Sequence, residues 1–197
     1  MAGVRRVEPG LTFVTGGARS GKSAFAVEVA RGLRAPTLYV ATAEARDAEM
    51  RAKIRRHRAA RPRRWSTLEE PIEITKRLAA MVKPKSVVIV DCLTLWASNL
   101  LDRHVADLDA PKPAQINRAH QRALVELRRL CALPKRLGVR LIVISNEVGS
   151  GIVPDNPISR SYRELLGEAN QFVAQRADLV VLMVAGLPVE IGPALEI

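Results

Sequence analysis

Aromatic side chains are scarce in this chain: Phe, Trp and Tyr make up 4% of its 197 residues. So few flat rings leave little surface on which unpaired bases could stack, which argues against a nucleic-acid-binding protein. Cysteine is nearly absent too. Cys92 and Cys131 lie far apart with no C-x-x-C spacing, so neither a disulfide framework nor a zinc site is indicated. Both are expected to sit as small, partly buried hydrophobes. Long apolar runs are missing as well. The longest, Leu179 to Val189, is broken by Gly186 and Pro188 and falls far short of the ~20 residues that span a bilayer. Residues 1–10 carry Arg5 and Arg6 but no apolar core, so they read as a flexible leader rather than a secretory signal. A cytoplasmic protein that inserts in no membrane is expected.

Acidic residues are the remaining deficit: 20 stand against 31 Lys and Arg, for a formal charge of +11. Such a balance favours anionic partners: nucleotides, other phosphorylated substrates, nucleic acid or an acidic membrane surface. The charge is concentrated between Arg51 and Arg64, which hold eight Lys or Arg and no acid.

What the chain does contain is a complete G-x-x-x-x-G-K-S loop, Gly16-Gly17-Ala18-Arg19-Ser20-Gly21-Lys22-Ser23. It follows the apolar run Leu11 to Thr15 and leads into a helical pattern from Ser23 to Leu33. Strand, loop and helix in that order give the motif its structural context. Glycines let consecutive backbone N–H groups turn toward a phosphate, and the helix N-terminus adds partial positive charge. Lys22 can reach the outer phosphates, and the Ser23 hydroxyl suits a Mg²⁺ that bridges them.

Strand and helix signals then alternate, which predicts an α/β fold for residues 11–197 as a single domain. A mostly parallel sheet of the phosphate-loop NTPase type would carry helices on both faces. Strands are expected at Thr37–Ala41, Ser86–Asp91, Val139–Ser145 and Leu179–Val184. Val189–Ile191 would pair with the last of these as an antiparallel edge hairpin through a Gly186–Pro188 turn. Helices are expected at 44–60, 72–82, 93–101, 114–137 and 161–176, with loops at 102–113 and 146–156 and a loop or short edge piece at 63–67. The 44–60 helix has so few apolar positions that it must be exposed or lie over a site.

In such sheets ligands bind beyond the carboxyl ends of the strands. Thr15, Ala41-Thr42, Asp91 and Ser145-Asn146-Glu147 all fall there. Asp91, after four apolar residues, has the form of a carboxylate that holds Mg²⁺. His57 is the other focus. On a helix, Lys53 and Arg61 would lie one turn to either side of it, with Arg58 adjacent in sequence. Positive charge nearby disfavours the imidazolium, and a neutral imidazole is a competent nucleophile. Flanking arginines could hold a triphosphate and its developing charge. A plain solvated surface histidine remains the alternative.

Several segments together resemble the bifunctional adenosylcobinamide kinase/adenosylcobinamide-phosphate guanylyltransferase family of cobalamin biosynthesis. They are Val14 to Ser23, Tyr39 to Ala43, His57-Arg58 with Arg61-Pro62 and Trp65, and Asp91 to Trp96 with Asn99 to Leu101. Further on come Ser145 to Gly149, Gly151 to Pro154 with Asn156, then Tyr162-Arg163, Gly167 and Asn170-Gln171. The resemblance runs from about Thr12 to Ile191. It implies phosphorylation of adenosylcobinamide with ATP or GTP, then transfer of GMP from GTP to adenosylcobinamide phosphate, giving adenosylcobinamide-GDP and pyrophosphate. The second reaction would pass through a GMP-histidine, matched here by His57. Implied nucleotide contacts fall on Gly16 to Ser23, on Ala41, Thr42 and Ala43, on Arg58, Ala59, Ala60 and Arg61, on Glu69 and on Asp91. Ser23 and Asp91 would serve the metal, and the implied assembly is a homotrimer. The main rival reading is a phosphate-loop kinase of another small molecule without guanylyl transfer.

Overall fold

The structure is a computed structural model that describes residues 9–191. Most of the expected leader, residues 1–8, and the tail after Ile191 lie outside them. A seven-stranded sheet forms the centre, in the order β3-β2-β4-β5-β1-β6-β7. Its strands are β1 (Leu11–Gly16), β2 (Thr37–Ala41), β3 (Ser66–Glu69), β4 (Val87–Asp91), β5 (Arg140–Ile144), β6 (Leu179–Val184) and β7 (Leu187–Ile191). All neighbours run parallel except β6 and β7, which pair antiparallel from Val180–Ile191 to Val184–Leu187. The expected edge hairpin is therefore present, and two residues at its turn, Ala185 and Gly186, have φ of 50° and 85°.

The central strands are buried on both faces, which is why they read as continuous apolar runs rather than alternating ones. Val88, Val90, Leu141 and Val143 face one way, toward α4 (Leu93–His104), α5 (Pro113–Leu137) and α6 (Pro157–Ala174). Their partners there include Trp96, Leu100, Leu127, Leu130 and Leu165. Tyr39, Ile89, Ile142 and Ile144 face the other way, toward Ala26, Val27 and Ala30 of α1 (Lys22–Gly32). The short helix α3 (Ile74–Met81) joins the larger cluster through Ile74 and Leu78.

Three expectations shift on local chemistry. Helix α2 spans Ala48–Ala59, not 44–60, because the Asp47 side chain accepts from Met50 N and starts it there. Upstream, Glu44 is occupied with Arg46, which also pairs with Asp102. Helix α6 begins at Pro157 rather than Ser161, with Asn156 capping Ser159 N at 2.8 Å and proline at the first helical position. The segment 63–67, read as a loop or short edge piece, runs into β3, a parallel edge strand registered on β2 from Leu38–Ser66 to Ala41–Glu69.

Candidate functional site

The carboxyl ends of β1, β2 and β4 meet at the glycine loop. Gly16 ends β1 at φ 143°, and a Cβ there would lie 2.4 Å from the Met183 carbonyl of β6. Only glycine fits both the angle and the approach. Gly21 precedes α1 at φ 97°. The β6–β7 turn braces the loop, with Gly186 N donating to Ser20 O at 3.0 Å. Lys22, 7% exposed, donates from Nζ to Gly16 O at 2.9 Å, to Gly17 O at 2.6 Å and to Ser20 Oγ at 3.4 Å. Burial lowers its pKa, and the charge of nearby Asp91 offsets only part of that.

Asp91 is the hub. Ser23 Oγ lies 3.5 Å from its Oδ1 and 3.4 Å from its Oδ2. Tyr39 donates its hydroxyl to Oδ2, and His57 Nδ1 faces the same oxygen at 3.6 Å. Burial alone would push the carboxyl up. The facing His57 imidazole, the Tyr39 hydroxyl and the Arg61 charge outweigh it and hold Asp91 below the usual carboxylate range. Burial, then the same carboxylate, pushes the Tyr39 phenol far above its ordinary value. The Arg61 guanidinium sits over the Tyr39 ring, 3.3 Å from the centroid.

Helix α2 covers this hub without a single buried residue. Met50, Lys53, Ile54 and His57 share one face at helical spacing, and that face lines a cavity of about 900 Å³. The glycine loop, Ser23, Asp91, Ala41, Ala43 and Glu69 line the rest of it, with Glu69 Oε1 3.9 Å from Arg58 Nη1 of α2. The helix expected to be exposed or to lie over a site does both.

Most sequence-predicted site residues meet here: Ala18 to Ser23, Ala41, Ala43, His57, Arg58, Ala60, Arg61, Glu69 and Asp91 all line the cavity. Gly16, Gly17, Thr42 and Ala59 do not. Gly16 is buried beneath the loop, whereas Gly17 is exposed. Thr42 is fully buried, where its Oγ1 accepts from Cys92 N at 2.9 Å and lies 2.8 Å from Cys92 O. It ties the end of β2 to the Asp91–Cys92 segment rather than facing a ligand. The charge nearest the His57 ring also differs from expectation: beside the arginines stands the Asp91 carboxylate.

A sequence model described as "Cobinamide kinase / cobinamide phosphate guanyltransferase" matches residues 12–191. The chain belongs to this family. Among its relatives, the "Bifunctional adenosylcobalamin biosynthesis protein CobP" of Pseudomonas aeruginosa is 41% identical over 175 residues, covering 89% of this chain and 93% of that protein. The proteins named "Bifunctional adenosylcobalamin biosynthesis protein CobU" from Escherichia coli K12 and Salmonella typhimurium LT2 are 37% and 36% identical, each over 92% of this chain and 99% of their own length. A solved Pyrococcus horikoshii OT3 structure superposes with a TM-score of 0.53 over 96% of this chain and 89% of that one. At 5% identity that likeness shows the fold alone.

For a cobinamide kinase/guanyltransferase family member the site has suitable parts. Ser23 and Asp91 present hard oxygen donors on one cavity, the donor type Mg²⁺ takes when phosphate oxygens complete its shell. Among the described residues no cluster of three His, Cys, Asp or Glu gathers to hold a metal unaided, so substrate oxygens would be needed. Sequence reasoning missed Tyr39, because a tyrosine inside an apolar strand reads as core. It also missed Lys53 and Ile54 as cavity residues, though their spacing from His57 along α2 carries that signal.

Proposed function

We propose that this chain catalyses both reactions named for its family. It would phosphorylate adenosylcobinamide with ATP or GTP, then transfer GMP from GTP to adenosylcobinamide phosphate. The observation that carries this reading is the single cavity onto which the phosphate loop, Asp91 and His57 all open. The loop from Gly16 to Ser23 cradles the phosphates with backbone N–H groups, and Lys22 brings its charge to them. Ser23 and Asp91 would hold Mg²⁺, which would draw off phosphate charge. Arg58 and Arg61 meet the anionic end of the nucleotide, with Ala41, Ala43 and Glu69 completing the wall.

In the second reaction a His57 ring nitrogen attacks the α-phosphorus of GTP and pyrophosphate leaves. A phosphate oxygen of the acceptor then displaces the ring, regenerating His57. This reading includes work in the cytoplasm, where the nucleotides are drawn, and assembly as the homotrimer that the resemblance implies. The apolar row Leu187, Val189 and Ile191 on β7 is exposed and suits self-association; light scattering reads the mass of the assembly.

Incubating the whole protein with α-labelled GTP and Mg²⁺, without acceptor, tests the reading. Acid-labile label is expected on the α2 peptide that contains His57. Absence of covalent label overturns guanylyl transfer and leaves a small-molecule kinase.

A further inference from the structure

Tyr39 is 1% exposed and would pass for a core aromatic. Two contacts separate it from one. Its hydroxyl donates to Asp91 Oδ2, the oxygen that His57 Nδ1 faces, and its ring carries the Arg61 guanidinium. Phenylalanine would fill the same volume in the core but leave Oδ2 short of a donor, a costly change for a buried carboxylate. Arg61 Nε is itself buried with no protein partner, so its planar head is held over the ring by stacking. One side chain thus touches both the carboxylate beside the candidate nucleophile and a cation that lines the same cavity.

We propose that Tyr39 is a positioning residue for guanylyl transfer, acting through Asp91 on His57 and through its ring on Arg61. The proposal rests on the function proposed above. With Asp91 Oδ2 held in place, the ring proton of His57 sits on Nδ1, toward the carboxylate, and the lone pair on Nε2 is free. Nε2 attacks the α-phosphorus: an N–P bond forms, and the bond from that phosphorus to the bridging oxygen breaks. Pyrophosphate leaves with the electron pair. The guanylylated ring is then cationic, with its Nδ1 proton still facing Asp91. When the acceptor phosphate oxygen takes the α-phosphorus, the ring returns to neutral and no proton has moved. Ser23 Oγ faces both oxygens of Asp91, Oδ1 at 3.5 Å and Oδ2 at 3.4 Å, so the same carboxylate also borders the proposed metal position.

Tyr39→Phe keeps the ring and the Arg61 stack but removes the hydroxyl. In single-turnover labelling with α-labelled GTP, adduct formation on His57 is expected to slow about tenfold, as for a lost hydrogen bond to a charged group. GTP affinity by equilibrium dialysis should stay unchanged, and the kinase rate should fall by a smaller factor, since that step needs Asp91 at the metal position but not the His57 ring. Tyr39→Leu should in addition weaken GTP binding, because Arg61 loses its platform. Ring ¹⁵N shifts of His57 in the wild-type protein, taken at a pH where the ring is neutral, should report the Nδ1–H tautomer. An Nε2–H tautomer there overturns the proposal whether or not the variants fold. So does Tyr39→Phe labelling at the wild-type rate, or an equal fall in both activities. If the wild-type protein itself takes no label, the function proposed above fails instead.

Discussion

His57 Nδ1 and Asp91 Oδ2 stand 3.6 Å apart, joining a helix with no buried residue to the carboxyl end of a buried strand. The two partners differ in what each change should remove. His57 has no contact with the phosphate loop among the hydrogen bonds and ion pairs described, whereas Asp91 reaches Ser23. His57→Ala should therefore abolish the acid-labile GMP adduct while leaving the kinase rate within about threefold. Asp91→Asn should depress both reactions, since the carboxylate serves the metal position as well as the ring. Parallel assays with γ-labelled ATP and α-labelled GTP separate the two patterns. Adduct persisting in His57→Ala would remove the histidine from the mechanism.

Lys22 presents a trade between stability and function. Its folded pKa lies below the usual value near 10.4 because of burial. A lysine with a depressed folded pKa is carried in its charged form at a cost to stability near neutral pH, a cost that fades only as the pH rises toward that ordinary value. Lys22→Met keeps the stem and drops the ammonium. Its melting temperature without nucleotide should equal or exceed that of the wild type. The upward shift that GTP gives, worth about 2.7 kcal/mol at a hundred times Kd, should largely vanish, and both activities should fall at least about a hundredfold. A variant that melts lower yet still binds GTP would contradict this account.

Gly16 and Gly17 are neighbours in the motif but not equivalents. At Gly16 a Cβ would lie 2.4 Å from backbone at φ 143°, whereas at Gly17 it would meet nothing within 4 Å. Gly16→Ala should destabilise the fold by about 2–4 kcal/mol through clash and backbone strain. Gly17→Ala should stay within about 0.5 kcal/mol of wild type. Denaturant midpoints compare them directly. Any activity lost by Gly17→Ala then reports how closely a phosphate approaches that position.

Much of this site is local, and so was legible. The loop, its flanking strand and helix, and the carboxylate ending β4 each lie within a few consecutive residues. The poor apolar content of α2 was also readable, and it pointed to a helix either exposed or lying over a site. Other features depend on register between distant strands. Ala41 pairs with Asp91 and Tyr39 with Ile89, so Tyr39 is diagonal to Asp91 on one face; nothing in either segment alone announces that. Edge strand β3 buries only Leu68 of its four residues, which leaves no periodic signal to read. The early start of α6 is different. Asn156-Pro157 is a cap followed by proline at the first helical position, a signal that was present in the sequence.

Thr42 is one of the nucleotide contacts that the resemblance implies, yet its geometry assigns it other work. The residue is fully buried, and its hydroxyl accepts from Cys92 N at 2.9 Å while lying within reach of Cys92 O at 2.8 Å and Asp91 O at 3.3 Å. With one proton it can satisfy one of those carbonyls at a time, but its acceptor role toward Cys92 N is fixed. Asn99 Nδ2 holds the Thr42 carbonyl from below at 2.8 Å, so the whole corner between β2 and α4 is knit around this side chain. Thr42→Val preserves shape and leaves Cys92 N without a partner, at a cost of about 1–3 kcal/mol. Because Cys92 follows Asp91, the carboxylate should lose its fixed position along with that bond. The expected result is a lower kcat in both reactions with GTP affinity kept. Thr42→Ser, which retains the hydroxyl, should recover most of the rate. If Thr42→Val instead raised KM for GTP and left kcat alone, Thr42 would be a ligand contact after all.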